Sequence, residues 1–133
     1  MNRRALLSSL PAALVWTGGC LGRDSPQARL AWVDLRNDTD QTHGATVTIL
    51  DGEETVFEER VSLGTGPQSS KHVFDRPVTG EGDYVIRATV GDETRELAAS
   101  DHIDGDETCV GVRFLVTDGG SFVIDHVRAM QQC

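Results

Sequence analysis

From Ala28 onward, apolar residues recur at every second position in short runs, and clusters of Asp, Gly and Pro separate those runs. Period-two alternation puts one side of an extended chain in a core and the other toward water, so each run is expected to form a strand. No segment of useful length carries a helical period. The first run, about Arg29 to Arg36, places Ala31, Val33 and Leu35 on one face, with Leu30 and Trp32 on the other. That second apolar side calls for cover by the preceding tether or a neighbouring loop. The second run directs Ala45, Val47 and Ile49 inward and Thr46 and Thr48 outward.

Turn chemistry then sets the registers. Asp51-Gly52-Glu53 reads as a three-residue hairpin loop that pairs Val47 with Phe57 and keeps apolar side chains on one face. The third run continues to Leu63 with Glu59 as an interruption. Residues 64 to 70 are a loop by composition, and Lys71 to Asp75 makes a short fourth strand. Tyr84, Ile86, Ala88 and Val90 alternate cleanly, and Gly91-Asp92 as a two-residue turn pairs Ile86 with Leu97. Beyond an acidic loop at 101 to 107, Val110, Val112, Phe114 and Val116 face inward. Asp118-Gly119-Gly120 then turns the chain into a last strand through Phe122, Ile124 and Val127. Seven or eight such strands predict an all-β, antiparallel two-sheet sandwich. The pattern resembles immunoglobulin-like and fibronectin-type domains, although the Cys, Trp, Cys spacing of antibody domains is absent.

The first 20 residues have a different grammar. Arg3 and Arg4 precede an apolar run from Ala5 to Thr17, and small residues follow at 18 and 19 before Cys20. This is the three-part layout of an export signal. The run is too short for a membrane span, which needs about 20 apolar residues. Thr17-Gly18-Gly19-Cys20 resembles the processing site of a bacterial or archaeal lipoprotein precursor, although Leu or Val is commoner where Thr17 stands. The resemblance implies cleavage before Cys20 and a lipid on its sulfur, since the thiolate is the nucleophile that takes the lipid. Secretion without lipid, after a cut near Gly19, is the alternative. Arg3-Arg4 also resembles a twin-arginine signal. It lacks the usual preceding Ser or Thr and the following Phe-Leu, so an ordinary secretory route stays open. The expected organisation is a signal peptide at 1–19, a lipidated cysteine and short tether at 20–27, and a sandwich at 28–133. Residues 21 to 27 span at most about 25 Å when extended, which keeps the domain near the extracellular face of the membrane.

Removal of residues 1 to 19 leaves 114 residues, enough for one domain with a single core. The chain has 12 basic and 21 acidic residues. Loss of Arg3 and Arg4 takes the mature part to 10 minus 21, or -11. This balance argues strongly against nucleic acid as a partner, because its recognition needs basic patches that displace counterions from phosphates. Lys71 is the single lysine, and the acids spread along the whole domain. This composition resembles that of proteins from salt-loving archaea, whose surface carboxylates keep them soluble when salt screens repulsion.

With Cys20 lipidated, Cys109 and Cys133 remain as an even pair in an oxidising setting, where a disulfide is expected. The hairpin puts Cys109 opposite Ala129 or Met130, so the chain must bend after its last strand to bring Cys133 within about 7 Å. The other residues give little sign of chemistry. His126, Met130 and Cys133 contain copper-ligand types, but in the reverse of the usual Cys, His, Met order. His43, His72, His102 and His126 lie in four separate segments, unlike a zinc site. Asp101, Asp104, Asp106 and Glu107 miss the spacing of a helix-flanked calcium loop. Ser100-Asp101-His102 holds the residue types of a hydrolase triad, yet neighbours on an extended chain diverge.

No catalytic residue, metal ligand or cofactor is therefore assigned. The expected function is a non-enzymatic binding or structural module of the cell envelope, anchored to the membrane through Cys20 and contacting another envelope protein or an extracellular ligand. Trp32 and the loops at 64–70 and 101–107 are the candidate contact features. The alternative is a metal-binding or redox carrier lipoprotein using some of His126, Met130, Cys109 and Cys133.

Overall fold

Val90 and Glu93 close a hairpin around Gly91 and Asp92, and Gly91 has a φ of 60° that suits glycine. Ile86 pairs with Leu97 in the register that this turn dictates. The hairpin joins β5 (Tyr84–Val90) to β6 (Glu93–Ala98) in a computed structural model that describes residues 27–133. The other strands are β1 (Arg29–Asn37), β2 (His43–Asp51), β3 (Glu54–Leu63), β4 (Lys71–Asp75), β7 (Cys109–Val116) and β8 (Phe122–Met130). They form two four-stranded sheets in the orders β4-β1-β7-β8 and β3-β2-β5-β6. Arg3, Arg4, Thr17, Gly18, Gly19, Cys20 and the tether up to residue 26 lie outside the described residues.

The inward residues of both sheets make one core. Val33, Leu35, Val110, Val112 and Phe114 from the first sheet, with Val47, Ile49, Ile86 and Ala88 from the second, are fully buried. Removing such an aliphatic or aromatic side chain from water stabilises by roughly 1.5–3 kcal/mol. Phe114 and Phe122 stack with ring centroids 5.9 Å apart. At the open side between edge strands β3 and β4, Phe57 and Phe74 meet edge to face at 5.3 Å.

One pairing departs from the antiparallel expectation. β1 lies between β4 and β7, antiparallel to the first and parallel to the second. A parallel neighbour needs a long crossover rather than a hairpin, and here the intervening chain builds the whole opposite sheet.

Two local expectations are corrected by β-bulges. In β1, Leu30 pairs with Val110 and Trp32 with Gly111, so Ala31 is an extra residue. The bulge turns Leu30 into the core and leaves Trp32 on the outer face. In the first hairpin the loop is only Gly52-Glu53, because Asp51 pairs with Glu54. An extra residue, Val56, then shifts the register so that Phe57 faces Ile49 rather than Val47. Phe57 still packs against the core. Glu59 sits opposite Val47 on an edge strand, exposed to water.

Ser100, Asp101 and His102 also differ from expectation. They lie in a 3-10 turn, Ala99–His102, instead of an extended segment. Successive side chains of such a turn point about 120° apart, so they diverge all the same.

Candidate functional site

The strand directions give the sandwich two distinct ends. At one end are the start of β1, the β2–β3 hairpin, the segment from Arg76 to Asp83, residues 99 to 108 and the chain after Met130. Ala28 is fully buried there, with mutual backbone hydrogen bonds to Gly82 of 3.0 and 3.1 Å. The opposite end carries residues 38 to 42, 64 to 70, Gly91-Asp92 and 117 to 121. The two candidate contact loops therefore occupy opposite ends, with 101–107 at the Ala28 end and 64–70 at the Asn37 end.

Asn37 organises its end from a nearly buried position at the tip of β1. Its side-chain amide donates to the carbonyls of Gln41 at 2.8 Å, Gly64 at 2.9 Å and Leu63 at 3.3 Å. Its oxygen accepts from the backbone and hydroxyl of Thr39 at 2.9 and 2.7 Å. Asn37-Asp38-Thr39 has the form of a glycan acceptor, but the acceptor nitrogen is occupied in holding two loops together. The 64–70 loop is further closed by Ser69, whose oxygens accept from the backbone N–H groups of Gly64 at 2.8 Å and Gly66 at 3.0 Å.

At the other end, Tyr84 donates its hydroxyl to the carbonyls of Gly80 at 3.0 Å and Thr79 at 3.1 Å. A tyrosine at the start of a strand bonded to backbone a few residues upstream is the tyrosine corner of immunoglobulin-like sandwiches. Burial, and next the nearby Asp51 charge, raises its hydroxyl pKa above 10.0. In the acidic loop, Asp104 N–H donates to the Glu107 carboxylate at 2.9 Å and Asp106 accepts from Gln131 at 2.8 Å. Two open clefts, of about 520 and 380 Å³, flank Val78 here. Arg29, Arg76 and Cys133 line the larger.

Cys109 and Cys133 form a disulfide with α-carbons 5.5 Å apart. Cys109 pairs with Met130 across the β7–β8 ladder, and the chain bends at Gln131. Thr108 fixes that bend, its N–H bonding the Met130 carbonyl at 2.9 Å and its hydroxyl the Gln131 carbonyl at 2.7 Å. The bond removes both thiols from the set proposed for a redox metal, and His126 lies beside Arg113. Among the described residues, no three His, Cys, Asp or Glu side chains gather as a metal-binding group.

The outer face of β4-β1-β7-β8 is the most distinctive surface. Register aligns its outward residues in three rows across the sheet: Asp75, Trp32, Gly111, Arg128; Val73, Asp34, Arg113, His126; and Lys71, Arg36, Leu115, Val123. Trp32 spreads over Gly111, where a Cβ would stand only 2.6 Å from the indole Cδ2. Asp34 is nearly buried although it points away from the core. It accepts from Arg113 Nε at 3.0 Å and Arg36 Nη2 at 3.1 Å, and Arg113 reaches Asp125 at 3.6 Å. Around this neutralised ladder, Trp32, Leu115 and Val123 are half-buried and Val73 is 54% exposed. Trp32 was legible in the sequence as an outward aromatic. The Asp34, Arg36 and Arg113 cluster was not, because Arg113 is 79 positions from Asp34 and reaches it only through the parallel pair.

The family model described as the halobacterial Ig-like domain matches residues 41–131, which cover β2 to β8. No curated protein and no solved structure is a significant match to the chain.

Proposed function

Because this chain belongs to the halobacterial Ig-like domain family, we propose that it is a non-enzymatic binding or structural module of the cell envelope, held at the extracellular face of the membrane by a lipid on Cys20. Arg3 and Arg4 lead the export signal, and Thr17-Gly18-Gly19 ends the segment, residues 1–19, that is cut away before Cys20. With only the seven residues 21 to 27 as tether, the Ala28 end lies toward the membrane and the Asn37 end away from it. The strands then stand away from the membrane, and the sheet faces are accessible from the side.

The observation that carries the reading is the outer face of β4-β1-β7-β8. Lys71, Arg36, Arg113 and Arg128 stand there against Asp34, Asp75 and Asp125, a sum of 4 minus 3, or +1. Residues 27 to 133 hold 9 basic and 20 acidic residues, or -11. The remainder of the domain therefore carries -12. A partly apolar face whose charges nearly cancel, with Asp34, Arg36, Arg113 and Asp125 paired among themselves, lacks the net negative charge that makes the rest of this acidic molecule repel other acidic surfaces, and so suits protein contact. High salt shortens the Debye length to about 3 Å at 1 M, so apolar contact there gains weight relative to exposed charge.

Chemical crosslinking in the native host, at its own salt, tests this. The protein is expected in the membrane fraction, with protein adducts that disappear when Val73 and Val123 are both replaced by Asp. Adducts unchanged by those substitutions would remove the face from the proposal.

A further inference from the structure

The contact partner at that face can be named more closely, on the premise of the anchored module just described. We propose that the outer face of β4-β1-β7-β8 docks on the same face of a second copy of this chain, about a twofold axis running parallel to the strands between β1 and β7.

The rows are self-complementary about that axis. A twofold so placed sets each β4 position against β8 of the other copy, and each β1 position against β7. Asp75 of one copy then faces Arg128 of the other, and the pair is repeated by symmetry. Val73 faces His126, Arg36 faces Leu115, and Lys71 lays its aliphatic stem against Val123. The Trp32-on-Gly111 platforms of the two copies meet beside the axis. Asp75 and Arg128 are exposed and have no ion-pair partner among the described residues, so each is available to the other copy.

The direction of the chain selects this axis over its alternatives. A twofold parallel to the strands leaves both Ala28 ends on the same side, so two copies tethered at Cys20 reach one membrane together. A twofold in the plane of the interface but across the strands would point the two Ala28 ends in opposite directions.

The size of the face sets the strength. Four strands at about 4.8 Å spacing, with three outward rows at about 6.8 Å, offer roughly 400 Å² from each copy. That lies below the usual range of stable interfaces. Two copies confined to one membrane meet at a raised effective concentration, and their paired lipid anchors hold more firmly than a single one. Dimerisation is thus weak in dilute solution and favoured on the membrane.

The single lysine makes the test specific. In the dimer the two Lys71 α-carbons are roughly 17 Å apart, from strand and sheet spacings, within reach of an ordinary amine-reactive bifunctional reagent. The full-length protein in host membranes, half of it isotope-labelled, is expected to yield a mixed-isotope Lys71-to-Lys71 product. Asp75→Arg or Arg128→Asp alone puts like charges at two symmetric places, and is expected to lower that yield about twofold or more at the host's salt, which weakens but does not abolish contact between exposed charges. The Asp75→Arg/Arg128→Asp double variant restores it. Absence of the product, singles that match the parent, or a double variant that fails to recover would each overturn the dimer while leaving the anchored reading standing. Recovery of the parent protein in the soluble fraction would instead overturn the anchored reading.

Discussion

The indole of Trp32 lies over the α-carbon of Gly111 on the parallel strand beside it, and any side chain at position 111 would overlap the ring. The missing Cβ thus lets the ring lie across the two central strands of the sheet's outer face, in the row nearest the Ala28 end. Gly111→Ala should displace the indole at a cost of about 1–3 kcal/mol, the usual penalty for overpacking. Trp32 is the sole tryptophan after removal of residues 1 to 19, so its fluorescence and near-ultraviolet dichroism report the displacement directly. Spectra identical to the parent would show that the ring does not rest on Gly111.

Asn37 is predicted to be structural despite its position in an Asn-x-Thr triplet. Asn37→Asp removes the two donors that serve Gln41, Leu63 and Gly64 and sets a carboxylate against their carbonyls. The buried carbonyls left unpaired cost about 1–3 kcal/mol each at most, so chemical denaturation should show a loss of at least ~1 kcal/mol. Protein from the native host should carry no glycan at Asn37 when its peptides are weighed.

Much of the sandwich was legible before the structure, and the reasons differ from strand to strand. Gly91-Asp92 fixes a register that agrees with the alternation on both sides, so the Ile86–Leu97 pair followed from local chemistry. The β2–β3 register did not, because a two-residue loop plus a bulge at Val56 presents the same faces as a three-residue loop. The bulge at Ala31 likewise leaves no local signature, and strict alternation put Leu30 on the wrong side of β1. Least legible was the outer-face ladder. It needs β1 and β7 to run parallel, a pairing between segments about 80 residues apart with no turn to announce it.

The terminal disulfide should act as a staple on a segment that would otherwise fray. Cys133→Ser opens a loop of 24-residue separation, worth on the order of 3 kcal/mol in the chain-entropy account. Thermal unfolding at native salt should show a lowered midpoint. An unchanged midpoint would mean that the hydrogen bonds from Thr108 already hold the last residues.

Tyr84 should make the fold sensitive to strong alkali. Burial and the Asp51 charge favour its neutral form, which raises the folded pKa above 10.0. The stabilising contribution is complete below the unfolded value of about 10 and declines as pH rises through the folded one. Tyr84 is the only tyrosine, so phenolate absorbance gives its titration without overlap from another. A midpoint above 10 that drops on unfolding is expected, and Tyr84→Phe should remove this part of the pH dependence.

Everything proposed about where this domain works depends on Cys20. The most direct measurement is the mass of the N-terminal peptide of protein isolated from host membranes. The expected chain begins at Cys20 and carries a lipid on that sulfur. A chain that keeps residues 1 to 19, or begins near Cys20 with a free thiol and remains in the soluble fraction, would contradict it.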